Sequence, residues 1–242
     1  MMRLFFQFII AAVVFSSCNS NKNSLHKIEG NAQGTTYHIS YVADNPINHQ
    51  TAIDSILKMI DTSMSTWVPV SLISRINNND STVLVDHHFI NVFTKSFEVS
   101  EKTGGLFDVT VGPLVNAWGF GFRKKATVDS AMIDSLLPFV GYNMLKLDGN
   151  KIVKAKPEIK LDLNAIAQGY TVDVLARYLE KKGIHDYLVE LGGELKAKGK
   201  KNGEDWKVGI AKPDENATAE RKLNPMAARR KSFMFFEFIS DL

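Results

Sequence analysis

The chain has 242 residues, 45% of them hydrophobic, and its 29 basic and 26 acidic side chains give a formal charge of +3. This balance is typical of a folded domain with a sizeable core, and it excludes disorder along the whole length. The small net charge argues against a nucleic-acid partner, and the single cysteine, Cys18, excludes an intrachain disulfide.

The N-terminus has the pattern of a secretory signal. A short basic start precedes an apolar run over 4–15, which is too short to span a bilayer comfortably, and two serines then come directly before Cys18. This arrangement resembles the lipidation site of bacterial lipoproteins. We predict a signal peptide over 1–17, lipidation of Cys18 and a polar tether over 18–29. The alternative is an ordinary signal with an incidental cysteine.

The elements that follow alternate between short strands and amphipathic helices. In chain order we predict a strand over 34–42, helices over 48–63, 71–80 and 89–102, strand-like segments over 146–155 and 158–166, a helix over 166–182, and two strands over 186–200 and 205–213. Turn signals at Asp148-Gly149 and Gly192-Gly193 favour hairpins. The predicted fold class is therefore α+β rather than a doubly wound parallel sheet. From 214 to 242 the periodicity is lost, and this part is predicted to be an atypical tail without a closing element.

Two carboxylates stand where a polar ligand can bind. Asp162 lies where a predicted strand gives way to a helix, and the first amides of a helix favour an anion such as phosphate. The alternative is that Asp162 only caps the helix, and the residues alone favour neither role over the other. Asp108 has apolar neighbours and Thr110 close by, so it needs hydrogen-bond donors or a cation when buried. The alternative for Asp108 is a turn aspartate at the surface.

The segment over 105–121, "GLFDVTVGPLVNAWGFG", combines four glycines with three large aromatic residues and one carboxylate. Glycine lets a ligand approach the main chain closely, so we predict a ligand surface here. Core packing is the alternative for the aromatic residues, as it is for Trp67. The six histidines lack metal-ligand spacing, and no nucleophile elbow, phosphate-binding loop or dinucleotide fingerprint is present.

Five blocks of sequence, taken in order, resemble the ApbE family of FAD:protein FMN transferases. They are "GTTYHISY", "MSTWVPVSLISRIN", "GGLFDVTVGPLVNAWGFG", "LDLNAIAQGYTVDVLARYLEKKGIHDYLVELGGELKAKG" and "DWKVGIAKP". The resemblance covers about residues 30–213, and its third and fourth blocks are highly specific. It implies an α+β, T-fold-like flavin transferase domain over 30–213.

The resemblance implies a magnesium-dependent reaction that splits FAD. The FMN half is attached to a threonine hydroxyl of an acceptor protein, and AMP leaves, in a phosphoryl-type transfer. The acceptors implied are subunits of sodium-pumping NADH:quinone reductase and of Rnf complexes. Family members are commonly periplasmic lipoproteins, so the resemblance also implies a membrane anchor at Cys18.

The resemblance further implies which residues contact FAD. Gln33 stands where the family usually has a Met against the flavin nucleotide, and Trp67 matches the aromatic residue of the "MST" motif. Phe107, Asp108 and Val109 match a segment that contacts the adenosine side or the flavin. No catalytic residue is assigned.

The start of the fourth block matches three more family positions. Asp162 matches an FAD-binding carboxylate, Ala165 a position that offers its backbone carbonyl to magnesium, and Gln168 a position where Lys or Glu commonly contacts FAD. The glutamines at 33 and 168 are departures from the family pattern, and the second removes a charge.

The region after Pro213 departs further from the family. The family continues with a "DPxTG" segment and a later Asp and Thr that complete the magnesium site, and these are not found in the remaining residues. We therefore expect the C-terminal part of the domain to be missing and transferase activity to be low or absent. The alternatives are a non-catalytic FAD-binding lipoprotein and an unstable fragment.

Overall fold

The computed structural model describes residues 24–44, 47–119, 128–211 and 223–227. The strands in these ranges are β1 Ser24–Ala32, β2 Thr35–Ala43, β3 Leu145–Asp148, β4 Lys151–Lys154, β5 Tyr187–Leu191, β6 Glu194–Lys198, β7 Lys207–Ala211 and β8 Leu223–Ala227. The helices are α1 Gln50–Met64, α2 Leu72–Asn77, α3 His87–Lys102, α4 Gly112–Ala117, α5 Ser130–Leu136 and α6 Asn164–Lys181. The predicted α+β class is confirmed.

The largest sheet has four antiparallel strands in the order β1-β2-β5-β6. Alternate residues of β2 point to one face, where Tyr37, Ile39 and Tyr41 are buried. Helices α1 and α6 cover this face, and α6 packs against β5 and β6. Two further hairpins, β3 with β4 and β7 with β8, complete the described strands.

The hydrophobic core has two parts that meet along α1. One part joins the sheet to α1 and α6 and includes the fully buried Tyr187 and Leu175. The other joins α1, α2 and α3 to the segment that leads into α6, with Phe89 and Leu161 at its centre. The start of α6 is therefore held by core packing on the side away from solvent.

Side-chain caps fix where three helices begin. Ser71, Asp86 and Asp129 accept hydrogen bonds from the main-chain amides of Ser74, Phe89 and Met132 at the starts of α2, α3 and α5. The Asp86 cap explains why α3 begins at His87, two residues before the predicted start at 89.

Two predicted boundaries are wrong at the ends of the domain. The tether over 18–29 is corrected because residues 24–29 belong to β1, which pairs with β2 along its whole length. The tail over 214–242 contains β8, which pairs with β7 through main-chain groups and so needs no side-chain period. Cys18 and the signal segment lie outside the described residues. None of the helices within the described ranges has the length and apolar character needed to span a bilayer.

Two predicted strands also differ from the structure. The segment predicted as one strand over 186–200 forms two strands, β5 and β6, and the hairpin signal at Gly192-Gly193 is confirmed, because these glycines adopt positive φ angles of 59° and 96° in the turn between them. In the segment over 158–166, residues 164–166 belong to α6, and the part before the helix makes an isolated bridge of Lys160 with Val111 instead of a strand.

Candidate functional site

A cleft of about 430 Å³ opens where four segments of the chain meet. These are the loop between α1 and α2, helix α2, helix α4, and the extended segment that leads into α6. The wall is rich in side chains that both donate and accept hydrogen bonds, and these are Thr66, Ser74, Asn77, Asn78, Asn116 and Asn164.

The extended segment over 159–163 places two charged residues on the cleft. Ile159, Leu161 and Leu163 are buried in the core, whereas Lys160 and Asp162 alternate with them and line the cleft. The period of two along an extended chain explains this separation. The described cleft wall therefore carries one positive and one negative charge.

Hydrogen bonds hold this segment from both sides. The main-chain amide of Asp162 donates to the carbonyl of Val109 at 2.8 Å. On the opposite side, the amide of Leu161 donates to Asn77 Oδ1 at 2.7 Å, and Asn77 Nδ2 donates to the carbonyl of Leu161 at 2.8 Å. A side-chain amide thus takes the place of a neighbouring strand, which explains why the predicted strand over 158–166 is not part of a sheet.

Helix α4 approaches this segment closely at Gly112. A Cβ atom at this position would lie 2.7 Å from the carbonyl oxygen of Lys160 and 2.9 Å from the Cβ of Lys160. Glycine is therefore required here for packing. What approaches is another part of the chain, so this contact does not itself test the ligand surface predicted for 105–121.

Burial perturbs both charged groups of the cleft. It raises the pKa of Asp162, and the hydrogen bond that the carboxylate accepts from the Asn164 amide at 2.8 Å partly offsets this effect. Burial lowers the pKa of Lys160, whose Nζ donates to the main-chain oxygen of Asn77. The Asp162 carboxylate thus accepts from the first residue of α6 and lines the cleft, but it does not cap the helix, because the N-cap is Leu163 and no side chain caps it.

Trp67 forms part of the cleft wall. It follows α1, and 57% of its surface is exposed. A flat, accessible indole beside polar groups is suited to stacking on a planar ring. Of the residues predicted to contact FAD, Trp67 and Asp162 are the two that line this cleft.

A second group of predicted residues lies along the first turns of α6. Gln33 sits in the turn between β1 and β2 with a φ of 52°, and its Nε2 donates to Thr171 Oγ1 at 3.0 Å. Gln168, one turn earlier on α6, packs against Gly192, where an added Cβ would lie 3.0 Å from its Oε1. Ala165 is exposed near the start of the helix. The structure therefore brings Gln33 and Gln168 to the same part of α6.

The third group, Phe107, Asp108 and Val109, does not line the cleft. Phe107 packs against the core, and Val109 is buried with 1% of its surface exposed. Both oxygens of Asp108 accept hydrogen bonds within the fold, from Thr110 and from the main-chain amide of Tyr142. The predicted need of Asp108 for hydrogen-bond donors is confirmed, while its contact with FAD stays a prediction.

The residues described here do not by themselves fit a magnesium ion. Across the described ranges, no three His, Cys, Asp or Glu side chains come together as a metal-binding group. Magnesium prefers near-octahedral oxygen coordination, and the carbonyl of Ala165 supplies one oxygen.

Sequence reasoning missed Asn77, Lys160 and Asn116 as residues of the cleft. Lys160 carries a usable signal, since it stands two positions before Asp162 in an extended segment and must share its face. Asn77 and Asn116 carry no such signal, because their places in the cleft wall depend on contacts between distant segments.

Comparison with known proteins places this chain in one family. The sequence profile of the ApbE family matches residues 33–232. The FAD:protein FMN transferase of Vibrio cholerae is 34% identical over 89% of this chain and 67% of its own length, and that of Haemophilus influenzae is 34% identical over 89% and 66%. This chain thus spans about two thirds of the length of these relatives.

Solved structures give the same result. The flavin transferase ApbE from Vibrio cholerae superposes with a TM-score of 0.76 at 33% identity, covering 85% of this chain and 69% of that one. The apo flavinyl transferase ApbE from Pseudomonas stutzeri superposes with a TM-score of 0.74 at 29% identity, covering 85% and 66%. Sequence profile, relatives and fold agree, and this chain therefore belongs to the ApbE family.

Proposed function

We propose that this chain binds FAD in the cleft beside Asp162 and acts as an FAD:protein FMN transferase. The observation that best supports the proposal is that Trp67 and Asp162, which come from separate blocks of the family resemblance, line one cleft. The relatives from Vibrio cholerae and Haemophilus influenzae are named for this activity. The cleft combines side-chain amides, one charge of each sign and an exposed indole, which suits a ligand with planar rings and a diphosphate.

In the proposed reaction, the hydroxyl oxygen of an acceptor threonine attacks the phosphorus atom of the FMN half. The new phosphoester bond forms as the bond from that phosphorus to the bridging oxygen breaks. AMP leaves with the bridging oxygen, and the hydroxyl proton passes to water. Such transfers depend on positioning and on neutralising phosphate charge, and the Lys160 ammonium adds positive charge to the cleft wall.

Magnesium belongs to the proposal only through the family resemblance, which implies the Ala165 carbonyl as one ligand. When bound, the ion neutralises phosphate charge. The described residues do not form a set of magnesium ligands. Each assay is therefore run with and without magnesium to test whether the reaction needs the ion.

A second candidate function is binding of FAD without transfer. It is favoured by the lack of a metal-binding side-chain group within the described ranges and by the glutamine at position 168. The two candidates share the FAD site and differ in whether FMN reaches an acceptor.

One experiment separates the candidates. The purified chain is incubated with FAD, with and without magnesium, and with a threonine-bearing acceptor fragment; FAD binding is measured by calorimetry and acceptor mass by mass spectrometry. We expect FAD to bind and the acceptor to gain one FMN more slowly than with the Vibrio cholerae relative. Binding without any mass gain supports the second candidate, and a chain that binds no FAD contradicts both.

A pair of variants tests the site itself. Asp162→Asn removes the charge from the cleft, and we expect it to change the FAD dissociation constant. Asp148→Asn makes the same chemical change at an exposed position beside the β3–β4 turn and serves as the matched control. Equal FAD affinity in the wild type and Asp162→Asn would place the FAD site elsewhere.

We further propose that the protein is a membrane-anchored periplasmic lipoprotein whose acceptors are subunits of sodium-pumping NADH:quinone reductase or Rnf complexes. The apolar run before Cys18 and the family resemblance support this proposal. Labelling of expressing cells with radioactive palmitate should mark the wild type and leave Cys18→Ser unmarked. Equal labelling of both would contradict the anchor.

A further inference from the structure

We propose that Asn77 is a positioning residue that holds Asp162 in the cleft. The inference rests on the proposed function in so far as Asp162 contacts FAD, but the contacts that carry it concern the fold alone. Asn77 is the last residue of α2, and its side chain reaches across to a segment 84 positions later in the chain.

The side chain of Asn77 pairs with both main-chain groups of Leu161. Its Oδ1 accepts from the Leu161 amide at 2.7 Å, and its Nδ2 donates to the Leu161 carbonyl at 2.8 Å. This pairing occupies both ends of the carboxamide. Alanine would break both bonds, and aspartate could accept from the amide but could not donate to the carbonyl.

Leu161 directly precedes Asp162, so its main-chain orientation sets the direction of the Asp162 side chain. Leu161 itself is buried with 1% of its surface exposed, and the Asp162 amide is held by Val109 on the opposite side. The Lys160 ammonium adds a bond to the Asn77 main-chain oxygen. Asn77 therefore holds one side of the segment, and the Val109 carbonyl holds the other.

The same helix also connects Asp162 to the loop that carries Trp67. Ser71, the cap of α2, donates from Oγ to the carbonyl of Ser65 at 2.7 Å, two residues before Trp67. Helix α2 thus joins the loop wall of the cleft at its first turn and the charged wall at its last residue. We therefore expect a change at Asn77 to reach the charged wall through its bonds to Leu161.

The first test is a double-mutant cycle on FAD affinity in the purified full chain. We expect Asn77→Ala to weaken FAD binding about tenfold in the wild-type background, since two hydrogen bonds to buried groups are lost. In the Asp162→Asn background the same change should cost much less, because the charge that Asn77 positions is already absent. Equal losses in the two backgrounds would overturn the proposal.

Asn91→Ala is the matched control. Asn91 is an exposed asparagine on α3 that donates to the Tyr170 hydroxyl at 3.3 Å and does not line the cleft. We expect this change to leave the FAD dissociation constant unaltered. A loss of affinity equal to that of Asn77→Ala would mean that removal of any such bond is sufficient, which also overturns the proposal.

The second test needs no FAD and so separates this inference from the proposed function. Amide hydrogen exchange is compared between the wild type and Asn77→Ala. We expect the Leu161 amide to exchange at least about tenfold faster in the variant, while the amides that pair β2 with β5 keep their rates. Unchanged exchange at Leu161, or a uniform increase over the whole chain, would show that Asn77 does not position this segment. If the chain binds no FAD, the proposed function fails and this test still decides the inference.

Discussion

The main-chain amide of Tyr142 donates a 2.7 Å hydrogen bond to Oδ2 of Asp108, and this bond ties the segment before α4 to the segment before β3. Oδ1 of Asp108 accepts from the amide and the hydroxyl of Thr110, at 2.7 and 2.6 Å. Thr110 Oγ1 in turn accepts from the Gly141 amide at 2.7 Å. The carboxylate is the centre of a small network that joins two loops.

Asp108→Ala should therefore act on stability. Removing a charged acceptor of several hydrogen bonds should lower the free energy of unfolding by about 2 to 3 kcal/mol, measured by denaturant titration. Asp134→Ala, at an exposed position of α5, is the control and should change little. Full stability of Asp108→Ala together with lost FAD binding would instead assign Asp108 to the ligand.

Gly112→Ala should separate α4 from the segment that carries Asp162. The added Cβ would meet the main chain of Lys160 at 2.7 Å, so we expect a loss of about 1 to 3 kcal/mol in the free energy of unfolding and weaker FAD binding. Gly169→Ala gives the opposite expectation for stability, because its added Cβ has 3.8 Å to Glu194 and alanine favours a helix interior. Equal stability of the two variants would contradict this account.

Lys154 should make the protein more stable as the pH rises above about 8. Burial is the main cause that lowers the pKa of its ammonium from 10.5 to about 8, so the folded chain releases this proton before the unfolded chain does. Between about pH 8 and 10.5 the unfolded state binds more protons, and the free energy of unfolding rises with pH. Below about pH 8 both the folded and the unfolded chain keep the Lys154 proton, so Lys154 adds no pH dependence to the free energy of unfolding there.

The measurement compares Lys154→Met with the wild type by denaturant titration from pH 7 to 10.5. Relative to the variant, the wild type should gain stability across the upper part of this range. Lys151→Met, exposed on the same hairpin, is the control and should follow the wild type. Parallel curves for Lys154→Met and the wild type would contradict the assignment.

Lys196→Met should be strongly destabilising. Lys196 Nζ lies 2.7 Å from Asp173 Oδ1, and the residue Asp173 is only 6% exposed. Within the described residues Asp173 Oδ2 has no hydrogen-bond partner, so loss of the lysine leaves a buried charge uncompensated, at a cost of about 3 kcal/mol.

Two further variants check this explanation. Lys207→Met breaks the exposed pair with Glu204 and should have little effect. The double variant Asp173→Leu with Lys196→Met should recover most of the stability lost in Lys196→Met. A double variant as unstable as the single one would mean that packing, and not charge, is responsible.

The sequence predicts those parts of the fold that depend on local pattern. The spacing of Ile53, Leu57 and Ile60 locates α1, and the Asp148-Gly149 turn locates the β3–β4 hairpin. The sequence does not predict β1, because exposed and buried positions alternate only weakly along this strand. Its extended conformation depends on pairing with β2. The start of the domain could therefore not be placed from residues 24–29 alone.

The residues of the candidate site also divide into those that a local sequence pattern predicts and those that it does not. Asp162 is prominent in the sequence because a carboxylate at a strand-to-helix junction is a recognisable pattern. The role of Asn77 depends on a side chain that replaces a neighbouring strand, and no local pattern encodes such a contact. Asp108 differs from both. Its sequence context is unusual enough to suggest a ligand site, but in the structure its carboxylate belongs to a hydrogen-bond network between two loops.

In the largest sheet, β2 is paired on one side by β1 and on the other by β5, so that Tyr37 lies opposite Leu191. During synthesis on the ribosome, the β1–β2 hairpin emerges early, but the strand that completes its pairing is made only after α1 to α6. Until then one row of main-chain hydrogen-bonding groups on β2 stays open to other nascent chains. Because of this strand order, we expect the sheet to close slowly and late, and we expect the nascent chain to need chaperones until it does.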